Sequence, residues 1–148
     1  MKVVLQRVTK GQVSIDGQIN GQIGTGFVLL VGVSDADTDA EVDYLVNKIT
    51  KIRLFSDETG KMNLNLAAVN GAILSISQFT LYANTAKGNR PSFFDAGKPA
   101  HAKAIYEQFN QKLAAQGFDV QTGVFGADMQ VTIDNDGPVT IIFDTDNK

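Results

Sequence analysis

Cysteine is absent from the chain, which removes disulfides, thiolate chemistry and every cysteine-based metal site. Histidine occurs once, as His101, in a stretch that reads as the start of a helix. One imidazole cannot make a zinc site, and from the solvated position expected here it would not reach a triad nucleophile. No apolar run approaches the roughly 20 residues that span a bilayer, and the first residues alternate like an amphipathic strand, not a signal peptide. A cytoplasmic protein without membrane contact is expected, and neither a metal nor a cofactor is called for. Acidic side chains outnumber basic ones, and the formal charge of −3 argues against a general nucleic-acid coat, DNA included. It does not forbid a local basic patch, and Lys87, Arg90, Lys98 and Lys103 share one stretch relieved only by Asp95.

What is present suits one domain over residues 1–148, long enough to bury its own core and 43% hydrophobic. Val3, Leu5 and Arg7 fall on one face of an N-terminal strand, so a charge on the buried side needs a partner. Val13–Asp16 and Gln18–Ile23 read as a hairpin around Gly17, and Phe27–Val33 as a fully buried strand. Thr38 and Glu41 have capping-box spacing, and Val42, Leu45, Val46 and Ile49 make one apolar helix face. Ile52–Phe55 and Ala72–Leu81 read as strands, Tyr82–Gly97 as a long loop and Pro99–Gln116 as a second helix stopped by Gly117. The fold expected is α+β: mainly antiparallel sheets or a barrel-like core, with two helices packed outside.

Two stretches can carry chemistry. In Met129–Asp144, alternating residues flank Asn135, Asp136, Gly137, Pro138, Val139 and Thr140, which reads as a hairpin with its turn. Pro138 cannot donate to a ladder and turns its surroundings outward. A Gly-Pro pair there offers main-chain carbonyls and almost no side chain, which suits reading the backbone part of a ligand. The strand end Ser77, Gln78, Phe79, Thr80, Leu81 offers two hydroxyls and an amide, with no base nearby in sequence to activate them. Its hydroxyls can simply bond locally. Alternatively, main-chain N–H groups where the strand opens into a loop can hold a developing oxyanion.

SQFTLYA at 77–83 and NDGPVT at 135–140 resemble the two signature motifs of the D-aminoacyl-tRNA deacylase family, and KIRLFSDETGKMN at 51–63 and KGNRPSF at 87–93 are similar to its pattern. The resemblance covers essentially the whole chain. It implies a homodimeric editing enzyme that hydrolyses the ester of D-aminoacyl-tRNA, or of glycyl-tRNA mischarged on tRNA-Ala. It also implies a cis Gly137-Pro138 peptide inserted into the other subunit's site, with Arg7 and Asn135 supporting the motif. L residues would collide with rigid main chain, whereas D residues and glycine would pass. Ser77, Gln78, Phe79 and Thr80 would form the catalytic stretch, and Lys87 and Arg90 would meet tRNA phosphates. Two mechanisms stay open: attack by Thr80, or a water assisted by the terminal ribose 2′-hydroxyl with the Phe79 and Thr80 N–H groups on the oxyanion. Two other readings are a dimeric module that binds the aminoacylated end without turnover, and an editing domain for a noncognate L residue.

Overall fold

The computed structural model describes every residue from Met1 to Lys148. The elements in chain order are β1 (Lys2–Ile15), β2 (Gln18–Ile23), β3 (Gly26–Gly32), α1 (Asp39–Lys51), β4 (Arg53–Ser56), β5 (Met62–Asn65), β6 (Ala72–Ser77), α2 (Pro99–Ala115), β7 (Val120–Thr122) and β8 (Gln130–Asp144). β1 is the strand to which the sheet is joined. It pairs antiparallel with β3 through Lys2–Val8 and with β2 through Gly11–Ile15, while β8 runs antiparallel along its other edge. β3, β6 and β7 then pair in parallel. The Asn20 amide donates to the Thr122 carbonyl at 2.8 Å, drawing β2 toward β7, so the sheet nearly closes into a barrel. Two helices lie outside it, giving the α+β single domain expected.

β3 explains why its sequence does not alternate: both of its faces are covered. Phe27, Leu29 and Val31 face the larger core, with Val42, Leu45 and Ile49 of α1 and Ile105, Phe109 and Leu113 of α2. Val28 faces the smaller core inside the barrel, with Val8, Val13, Ile23, Leu74 and Ile76. Each such fully buried side chain stabilises by about 1.5–3 kcal/mol, which is what holds both helices on the sheet. α1 starts as its sequence dictates, with Thr38 accepting from Ala40 N–H and Glu41 accepting from Thr38 N–H. No helix is long and apolar enough to cross a membrane.

Three expectations need correction. The segment Met129–Asp144 is not a hairpin but one long strand whose two arms both pair with β1. Gln6 faces Thr140 and Val8 faces Asn135, so Arg7 alone stands opposite the four residues Asp136–Val139, which loop out as a bulge. The bulge lets the strand change cores, because Val131 and Ile133 pack inside the barrel while Val139, Ile141 and Phe143 pack against the larger core. β6 stops at Ser77, and Phe79–Tyr82 form a 3-10 turn instead of extending the strand. His101 is half-buried, not solvated: its Nε2 donates to the Asp37 carbonyl at 3.1 Å, tying α2 to the loop before α1.

Candidate active site

The bulge is held from below by Arg7. Its guanidinium side chain, only 12% exposed, donates through Nε to the Asp136 carbonyl at 3.2 Å and through Nη1 to the Leu54 carbonyl, with the Asp136 carboxylate at 3.4 Å. A planar fork of donors bridges two carbonyls in this way with its geometry fixed in advance, which the single rotatable ammonium of lysine does not offer. Asn135 closes the bulge from within: its Oδ1 accepts from Val139 N–H at 2.9 Å and its Nδ2 donates to the Thr140 hydroxyl at 3.1 Å. The Gly137-Pro138 peptide is cis, and Asp136, Gly137 and Pro138 are exposed. A firmly tethered piece of bare main chain therefore faces outward.

The second element lies where β6 ends. Gln78 N–H still bonds the Val31 carbonyl at 2.7 Å, and the chain then tightens, with Leu81 N–H closing onto the Gln78 carbonyl at 3.2 Å. The N–H groups of Phe79 and Thr80 lie ahead of that first closing bond and have no acceptor within the turn, as the leading donors of any helix do. Beside them opens a cavity of about 520 Å³ whose lining includes Ser77, Gln78, Phe79, Phe93, Tyr106 and Phe125. The Phe79 ring, 57% exposed, meets Phe93 edge-on at 4.9 Å between centroids. Phe79 lines this cavity and Thr80 follows it outside the lining; two adjacent free N–H groups where a strand gives way to a turn are suited to stabilising negative charge that develops on a carbonyl oxygen. Burial pushes the pKa of the Tyr106 hydroxyl up, and the hydroxyl donates to the Ser75 carbonyl at 2.7 Å, which fixes the ring in the cavity wall.

Thr80 has a single side-chain partner, the Gln78 amide, which donates to its hydroxyl. An amide N–H cannot accept a proton, and the one imidazole is committed to Asp37. No group of three or more His, Asp or Glu side chains is placed to hold a metal ion. Phe79→Pro would delete one N–H while keeping a backbone that proline tolerates at the first position of a turn. Relative to Phe79→Ala, which deletes only the ring, it is expected to lose a further hundredfold to thousandfold, roughly, in turnover. Steady-state kinetics on the two variants check this.

Within one chain the two elements stand apart. The Phe79 turn packs at Gly32, the partner of Lys2, whereas the bulge sits opposite Arg7, the partner of Phe27. The two levels are five residue steps apart on β1, from Lys2 to Arg7, or about 17 Å along the strands.

A sequence profile of the D-Tyr-tRNA(Tyr) deacylase family matches residues 4–144. The chain belongs to that family. Among solved structures, a c-Myc DNA unwinding element binding protein is 40% identical, with 98% of this chain and 99% of that one covered and a TM-score of 0.91. A probable eukaryotic D-amino acid tRNA deacylase is 18% identical, with 96% and 97% covered and a TM-score of 0.84, a likeness that concerns the fold. Membership makes the chain a D-aminoacyl-tRNA deacylase, an editing hydrolase whose substrate is an aminoacyl-tRNA.

In this deacylase Lys87 and Arg90 are exposed in the loop between Asn84 and Ser92, which a two-way main-chain bridge closes at 2.8 and 2.9 Å. The loop runs directly into Phe93, whose ring meets that of Phe79. Sequence reasoning missed Phe93 as a cavity wall and the Leu54 carbonyl as the second anchor of Arg7. The first could have been suspected from an aromatic pair in a polar loop; the second has no signal, since a main-chain acceptor exists at every residue.

Proposed function

We propose that this deacylase hydrolyses D-aminoacyl-tRNA, and glycyl-tRNA mischarged on tRNA-Ala, as a homodimer in which the bulge of one copy meets the Phe79 turn of the other. The observation that carries this reading is the separation of the two elements within one chain. Each is built for a ligand, yet a single copy cannot bring both to one ester. β8 leaves one long edge unpaired, with Ile142 72% exposed on it, and a free edge of that kind invites a second copy.

In the assembled site the terminal adenosine places the ester carbonyl at the Phe79 and Thr80 N–H groups. The main chain of Gly137 and Pro138 stands against the substrate Cα. A D side chain points away from it toward solvent, an L side chain runs into it, and glycine has nothing to collide. Selection by exclusion needs no fitted pocket, so side-chain identity matters little. The ribose 2′-hydroxyl next to the ester assists the attacking water, and the developing oxyanion is held by the two N–H groups. Lys87 and Arg90 meet tRNA phosphates and add affinity without sequence preference.

Incubation of the purified protein with D-tyrosyl-tRNA and L-tyrosyl-tRNA tests the reading. Release of D-tyrosine alone is expected; tight binding without release would make the chain a binding module, and release of the L acid would make it a different kind of editor.

A further inference from the structure

A cleft of about 480 Å³ opens at the far end of α1, lined by Asn47, Lys48, Lys51, Ile52, Arg53 and Phe143. Its three cations are exposed, none is in an ion pair, and no carboxylate lines it. That is unusual in a chain with a net charge of −3. The groove next to it shares Asn47 and Lys51, but its carboxylate, Asp43, is taken by Lys112. A third cleft, by Tyr82, carries Asp95, Asp144 and Asp146. Cations in the last turn of a helix are favoured by its dipole, which accounts for Lys48 and Lys51. Arg53 lies beyond the helix, on β4, and the dipole does not explain it.

The cleft is also placed beside the site. Arg53 precedes Leu54, whose carbonyl Arg7 ties to Asp136 of the bulge, and Phe143 lies on the same strand as the bulge. We infer that Lys48, Lys51 and Arg53 form a phosphodiester-binding cleft that receives the tRNA backbone as its charged end enters the site, an inference that rests on the proposed aminoacyl-tRNA reading. The Lys87–Arg90 loop flanks the Phe79 side of a composite site and this cleft flanks the bulge side, so the strand is gripped from both copies. Its recognition is of charge and backbone, not of bases.

The test uses labelled uncharged tRNA(Tyr), the full-length protein and the variant Lys48→Gln/Lys51→Gln/Arg53→Gln, with Lys10→Gln as an exposed cation outside the cleft. The triple variant is expected to bind about tenfold more weakly and to flatten the dependence of log K on log salt by up to roughly 3, near 0.9 for each phosphate no longer neutralised. KM for D-tyrosyl-tRNA rises with kcat retained, and Lys10→Gln shows neither change. The single variant Lys51→Glu repeats the effect on a smaller scale should the triple variant fold poorly. An unchanged affinity and salt slope overturns the cleft while leaving the aminoacyl-tRNA reading intact. Absence of tRNA binding and of D-tyrosine release by the unaltered protein sinks that reading itself.

Discussion

Replacing the terminal ribose 2′-hydroxyl of D-tyrosyl-tRNA by hydrogen is expected to slow its hydrolysis by between a hundredfold and ten-thousandfold, roughly the range a positioned acid or base supplies. Thr80→Ala, in contrast, should stay within about tenfold of the unaltered enzyme, because alanine keeps the main-chain N–H on which oxyanion stabilisation depends. The reason lies in the surroundings of the Thr80 hydroxyl. Its one side-chain partner is an amide that donates to it, and the only imidazole is hydrogen-bonded to Asp37 on the loop before α1. A threonine without a base is a poor nucleophile. The substrate, however, carries its own hydroxyl on the carbon next to the ester. Rates measured with the two changes made separately decide the matter, and the reverse pattern, with Thr80→Ala inert and the deoxy substrate turned over normally, would overturn 2′-hydroxyl assistance in favour of a role for the Thr80 hydroxyl.

Gly137→Ala is expected to abolish selective hydrolysis with only moderate loss of stability. Gly137 has φ +127, outside the range that L residues adopt readily, and a Cβ there would stand 2.8 Å from Val139 Cγ2 and 3.1 Å from Arg7 Nη2. Either the bulge moves or the Arg7 clamp opens. The backbone cost is about 1–3 kcal/mol, which a domain with two continuous cores tolerates. The catalytic cost is larger, since a misplacement of about 1 Å is worth about a hundredfold in rate. Urea unfolding should show the moderate loss of stability, and kinetics should show D-tyrosyl-tRNA hydrolysis reduced at least to that extent. Rejection of L-tyrosyl-tRNA should weaken too. A variant with unchanged rates and unchanged selectivity would mean that this main chain touches no substrate.

Much of the scaffold is legible in the sequence where local rules decide it. The capping box of Thr38 and Glu41, the apolar face of α1, the unalternating run of β3 and the stop at Gly117 follow from short-range physics. The bulge in β8 is not legible in the same way. Alternation around residues 135–140 reports which face each side chain takes, not which strand it pairs with, and turn residues suit a bulge as well as a hairpin. Likewise nothing in FTLY announces a 3-10 turn, since Phe79 continues the period of Ser75 and Ser77; the turn is set by Gln78, whose φ of −144 and ψ of 76 leave the strand region. At the site, the outward character of Gly137 and Pro138 and the buried charge of Arg7 are both readable, but the acceptors of Arg7 are main-chain oxygens brought together only by the fold. The three cations of the α1 cleft read simply as a helix end until β4 is seen to run beside the bulge.

The most direct test of exclusion by main chain uses the smallest side chain. Glycyl-, D-alanyl- and L-alanyl-tRNA, prepared on one tRNA, differ at the Cα by no more than a methyl group and its hand. A hydrophobic pocket separates substrates that differ by one methyl by about 10–200-fold, and it would favour the larger group. A rigid wall at Gly137 and Pro138 predicts the opposite order: glycyl- and D-alanyl-tRNA hydrolysed at similar rates, and L-alanyl-tRNA resistant by about a thousandfold or more. Hydrolysis of L-alanyl-tRNA within about tenfold of the glycyl form, a gap that a pocket alone could produce, would contradict the account.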